Sequence, residues 1–109
     1  MKVNELIKNI DFEILSMPNE NASVESVYCC DFLSWAMTRA KENCAWVTVI
    51  ANFNTLAVCS LCNVSLLVIA DDAPVVDGFI EKANEKNINV VKSKINVFDS
   101  ALMIYNTIR

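Results

Sequence analysis

Residues 44–70 read CAWVTVIANFNTLAVCSLCNVSLLVIA, a run without a single charged side chain. An uncharged segment of that length is long enough to span a bilayer. Its internal punctuation argues otherwise: Asn52, Asn54 and Asn63 interrupt it, and its apolar parts are two β-branched segments, WVTVI and VSLLVIA, around a helix-like TLAVCSLC. A strand, a helix and a second strand buried on both faces of a parallel sheet produce the same continuous hydrophobicity. The run therefore reads as a β-α-β unit of a soluble protein with no membrane partner.

The flanking chain repeats this scheme. Val3, Leu6, Ile7 and Ile10 recur at helical spacing and FEIL reads as a short strand, followed by an aperiodic loop over 16–22. The β-rich SVESVYCC leads into DFLSWAMTRAKEN, where Asp31 is placed to cap a helix and Asn43 to stop it in a left-handed conformation. In the uncharged run the strand AWVTVI is followed by a helix over 54–63, which Asn54 is placed to cap. Asp71 and Asp72 precede Pro74, a favoured first-turn residue, and Val75, Val76, Phe79, Ile80 and Ala83 form a stripe for the next helix. INVVKS is the last strand, and Val97, Ala101, Ile104, Tyr105 and Ile108 mark the face of a closing helix. Strands alternating with helices predict one α/β domain over residues 1–109, a mostly parallel sheet with right-handed crossovers and helices packed on it.

Composition excludes several function classes. The chain has no His and one Gly among its 109 residues. Without His there is no Ser-His-Asp or Cys-His catalysis. With one Gly there is neither a P-loop nor a G-x-G-x-x-G turn. The net charge is −4 and the nine Lys and Arg form no dense cluster, so nucleic acid is not the expected partner. The N-terminus lacks the apolar core of a signal peptide, and five cysteines fit reduced thiols in the cytoplasm better than a disulfide framework. The expectation is a non-enzyme without cofactor or metal.

Cys59 and Cys62 form a C-x-x-C pair, but the expected helix start places Cys59 more than a turn inside, where the helix dipole does little for its thiol. Cys29 and Cys30, neighbours on a strand, point to opposite faces and cannot join one metal site. The pair reads as small packing residues, with thiol redox or metal binding as the alternative. Trp35 and Trp46 read as core or interface.

Two blocks carry a family resemblance. VESVYCCDFLSWAM (24–37) resembles the V-x-G-V-Y-x-x-D-L-L-S-x-V-M signature of the DRTGG domain family, and AWVTVIANFNTLAVCSL (45–61) resembles its W-x-T-x-x-x-H-x-N-x-x-A-V-A-x-L block. That family is similar to the N-terminal domain of HPr kinase and occurs alone, in regulatory regions of some pyrophosphatases with CBS domains, and in some phosphotransacetylases. The resemblance implies a homodimeric regulatory or ligand-sensing module binding a small ligand of the nucleotide kind. The chain departs from the family pattern at Asn21 and Ala22, where the naming motif begins with Asp-Arg, at Ser26 in place of Gly, and at Asn52 in place of His.

In parallel sheets ligands bind beyond the carboxyl ends of the strands. The expected ligand site is accordingly Asp31, Ser34, Thr48, Asn52, Asn54, Asp71 and Asp72. Three aspartates oppose a bare phosphate, so a neutral or donor-rich ligand, or a phosphate carried with Mg²⁺, fits better. Asn52 is the residue least accounted for by capping. The rival reading is a protein-interaction subunit without a small ligand, built on Trp35, Met37 and the final helix.

Overall fold

The computed structural model describes residues 1–109. In chain order the elements are α1 (Val3–Asn9), β1 (Glu13–Ser16), β2 (Ser26–Cys29), α2 (Leu33–Arg39), β3 (Cys44–Thr48), α3 (Phe53–Cys62), β4 (Leu66–Ile69), α4 (Phe79–Glu85), β5 (Val90–Lys92) and α5 (Val97–Ile108). The uncharged run folds as β3, α3 and β4, and no helix is long and apolar enough to cross a membrane. Five strands form one sheet in the order β1-β5-β4-β3-β2. β2, β3, β4 and β5 are parallel, with Val27 beside Ala45, Trp46 beside Leu67 and Val68 beside Val91, while β1 runs antiparallel to β5.

β3 and β4 are buried on both faces, which is why their sequences show no polar alternation. Cys44, Trp46, Leu67, Ile69 and Val90 point to one face and pack with Ala36 of α2, Leu56, Val58 and Cys59 of α3, and Phe79 and Ala83 of α4. The alternate residues Ala45, Val47, Leu66, Val68 and Val91 pack on the other face with Val3 and Leu6 of α1 and Ile104 of α5. Each large aliphatic side chain buried this way contributes about 1.5–3 kcal/mol. From β2 to β5 the chain steps across the sheet in one direction, so right-handed crossovers lay α2, α3 and α4 all on the same face.

Several local expectations need correction. Asp31 does not cap α2: the cap position is Phe32, without a side-chain bond. α2 ends at Arg39, so Asn43 is left-handed (φ 66°) in the turn before β3 and not at the helix end. α3 starts at Phe53, and its cap is Asn52, whose Oδ1 accepts Thr55 N–H at 3.2 Å. The helix expected from Pro74 begins only at Phe79, after Gly78 in a left-handed turn (φ 81°). The left-handed Asp71 and Asp72 (φ 57° and 50°) turn the chain onto the end of β5, and beyond Pro74 the Val76 N–H bonds the Ala51 carbonyl instead of a helical partner.

Candidate functional site

The carboxyl ends of β2 to β5 share one end of the sheet, and the expected residues do cluster there, mostly in structural roles. Asp31 Oδ1 accepts the Thr48 hydroxyl at 2.7 Å and the Val49 N–H at 2.9 Å, which ties the end of β2 to the end of β3. Thr48 is buried, and its Oγ1 in turn accepts Ile50 N–H. Thr55 closes the same loop by donating to the Ile50 carbonyl at 2.8 Å. Asn54 and Ser34 are exposed on the first turns of α3 and α2. Asp71 and Asp72 donate their N–H groups to the carbonyls of Ile95 and Ser93 at 2.9 and 2.8 Å.

None of these seven residues lines a cavity. The topology explains this. A crevice opens at the carboxyl ends where neighbouring crossovers leave on opposite faces of the sheet. Here the parallel order never reverses, so no crevice forms between β2 and β4.

The largest cavity, about 540 Å³, lies at the same end of the sheet but at the β5–β1 boundary. Lys92, Ser93, Lys94 and Ile95 leave the carboxyl end of β5, Asp11, Phe12 and Glu13 enter β1 beside them, and Met103 of α5 closes the side. The two connections that meet at this end, from α1 into β1 and from β5 into α5, both run on the face opposite α4. Ser93 is buried and shares a 2.7 Å hydrogen bond with the Ser100 hydroxyl, which pins the β5–α5 turn. Lys92 stands opposite Glu13 in the strand register, and its ammonium lies 3.9 Å from Asp72. Apolar Phe12, Ile95 and Met103 line the cavity together with Lys92, Lys94, Asp11 and Glu13. Such a site suits an amphipathic ligand with an anionic group for the lysines and a flat apolar body for the phenyl ring.

Sequence reasoning missed Lys92 and Lys94 because nothing local marks them. The signal that could have found them is their place directly after the last apolar residue of a parallel strand. Of the expected residues, Asp71 and Asp72 touch the lining of this site, Asp71 through the Ile95 carbonyl and Asp72 through the Ser93 carbonyl and Lys92.

The thiols sit elsewhere. Cys59 is buried among the α3 and strand residues, and burial pushes its thiol far above the ordinary range; Cys44, beside it in the same core, is pushed up to about 11 by the same desolvation. The Cys62 thiol is also raised by burial and contacts the Met37 carbonyl at 3.4 Å. Raised thiols are poor nucleophiles and poor metal ligands at neutral pH. No three His, Cys, Asp or Glu side chains converge in a metal-binding group. Trp46 is fully buried, its indole N–H donating to the Cys30 carbonyl at 2.9 Å, whereas Trp35 is 53% exposed.

No family model matches the sequence, and no curated protein does. Among solved structures, the chain superposes on the CBS and DRTGG domains of the regulatory region of Clostridium perfringens pyrophosphatase, crystallised with its activator diadenosine tetraphosphate, with a TM-score of 0.74. The fold is DRTGG/CBS-like. The match covers 94% of this chain and 45% of that one at 16% identity, so the likeness is one of fold and spans about half of the neighbour's length. Asn52 serves this fold as the cap of α3.

Proposed function

We propose that this chain is a non-catalytic regulatory module that senses a small ligand of the nucleotide kind and works as a homodimer. The observation that carries the reading is the cavity beside Lys92 and Lys94, at the carboxyl end of a sheet whose fold is that of a regulatory region crystallised with a nucleotide activator. The lysines meet phosphate groups and Phe12 meets the base. Asp11, Glu13 and Asp72 temper the positive charge, so the ligand also offers hydrogen-bond donors or arrives with Mg²⁺. The chain has no His, and its buried thiols are held protonated, which fits sensing better than chemistry.

The test is a thermal-melt series with AMP, ATP and diadenosine tetraphosphate, each with and without Mg²⁺. A ligand present at one hundred times its Kd stabilises by about 2.7 kcal/mol and raises the melting temperature by about 10 °C in a chain of this size. Lys92→Ala should remove most of that rise while leaving the unliganded melt in place. Flat melts with all three compounds would sink the nucleotide reading.

A second reading, a protein-interaction subunit, is favoured by the aromatic side chains Phe32, Trp35 and Phe98, which are more than half exposed. It requires a stable complex with another protein and no response to small ligands.

A further inference from the structure

The sheet has two edges, and their defences differ. β1 opens with a charged Glu13, breaks register between Ile14 and Ser16, and is followed by Pro18. Charge, bulges and Pro are the devices that keep edge strands from pairing with other chains. β2 reads SVYC, without charge, Pro or bulge, in unbroken register with β3 and with no strand on its other side.

Exposed apolar side chains flank this open edge on both faces. Towards α5, Val27 and Cys29 line a shallow groove of about 280 Å³ with Phe98, Leu102 and Tyr105. Phe98 is 69% exposed and Tyr105 51%. Towards α2, Phe32 is 60% exposed and packs edge-tilted on Trp35. Arg39 lies over the Trp35 ring at 4.2 Å, which holds the indole in place at the surface.

We infer that this edge docks a second copy of this chain, β2 pairing antiparallel with β2 of the other copy across a two-fold axis normal to the sheet. The inference rests on the homodimer part of the function proposed above and assigns its surface. Three arguments select a second copy. A bare strand edge is its own complement under two-fold symmetry, because an antiparallel partner presents the same sequence of N–H and C=O groups in reverse. The axis keeps faces together, so the groove of one α5 meets the groove of the other. On the α5 side the strand and the groove carry no charged side chain, so two copies meet there without like charges, while Arg39 and Lys41 line the edge on the α2 side. Four aromatics exposed by half or more offer on the order of 100 Å² each, which with Leu102 and the strand edge is somewhat over half of the roughly 800 Å² per partner of a standard interface and in the range of a small one.

The test is analytical ultracentrifugation of the full chain under reducing conditions across the micromolar range. Wild type should sediment at twice the chain mass. Phe98→Glu and Leu102→Glu, both at exposed positions, should raise the dimer dissociation constant about 100-fold or more with an unchanged circular dichroism spectrum. Ile14→Glu, at the defended edge, should stay dimeric. Alkylation of Cys29, slow in the dimer, should become fast in Leu102→Glu. A wild-type monomer, a dimer that survives both α5 substitutions, or a monomer produced by Ile14→Glu would each overturn the assignment. The nucleotide cavity lies at the opposite edge, so Leu102→Glu retains whatever melting shift wild type shows, and failure of the sensor reading is scored separately from failure of the interface.

Discussion

At the β1 edge the strand is bulged and charged, and the space beside it is a cavity lined by both charged and apolar residues; at the β2 edge the strand is uncharged and in unbroken register, and the space beside it is an apolar groove. The same sheet ends in two surfaces of different chemistry. The first has the charged side chains to hold a small polar molecule, and the second has the bare backbone and aromatic rings to hold another protein surface. The comparison teaches that the two parts of the proposed function need not compete for one face. The edges also differ in what secures them. β2 is fastened at its end by side chains of β3 and of the turn after β2, through Trp46 to the Cys30 carbonyl and through Asp31 to Thr48 and Val49. β1 is fastened by Ser16, whose single hydroxyl proton is shared between Asn84 Oδ1 at 2.8 Å and the Ile88 carbonyl at 3.0 Å.

The strongest way to break the β2 edge is Trp46→Ala. It opens a cavity in the core and orphans the Cys30 carbonyl, so it should lower stability by about 3–5 kcal/mol in chemical denaturation. Trp46→Phe keeps most of the volume and isolates the hydrogen bond, with an expected loss of about 1–2 kcal/mol. Asp31→Ala comes next at about 1–2 kcal/mol, and hydrogen exchange should show the Val49 amide opening first. A uniform rise in exchange across the sheet would contradict a local fastening.

Cys44 sharpens the comparison through pH, because it begins β3 beside Ser26 of the open edge. Burial raises its folded pKa to about 11, above its ordinary value of 9.0 in the unfolded chain. The unfolded chain therefore loses this proton first. The stabilising contribution is complete below about pH 9 and disappears as pH climbs towards about 11, a loss of about 1–2 kcal/mol. Urea midpoints across that window should fall, and less steeply in Cys44→Ala. Ser16→Ala at the β1 edge is the mildest change, costing about 1 kcal/mol through the loss of that shared hydrogen bond, and it should leave the sedimentation of the protein unaltered.

The clearest lesson about legibility comes from residues 44–70 and from Asn52. The β-α-β content of the uncharged run could be read directly, because burial on both faces leaves a mark in every residue of β3 and β4. The cap of α3 was misread by two residues, from Asn52 to Asn54, because both are Asn and only backbone dihedrals distinguish the position outside the helix from one inside it. The α4 start was misread for a similar reason, since Pro74 permits a first turn without requiring one and the left-handed Asp71 and Asp72 were invisible.

What the sequence by itself determined is the α/β class, the order of its elements, the burial of β3 and β4 and the chemistry that a chain without His and with one Gly lacks. These follow from local periodicity and composition, which need no knowledge of neighbours in space. Only the tertiary structure decided that β1 joins the sheet antiparallel beside β5, that the strand order never reverses, and that β2 is left at an open edge. With those three facts Asp31 and Asn52 hold loops and a helix cap, the largest cavity lies beside Lys92 and Lys94, and Phe98 and Trp35 stand in solvent. The physical reason is that strand pairing joins residues far apart in sequence through backbone groups every residue shares, so side-chain identity says little about which strand lies next to which.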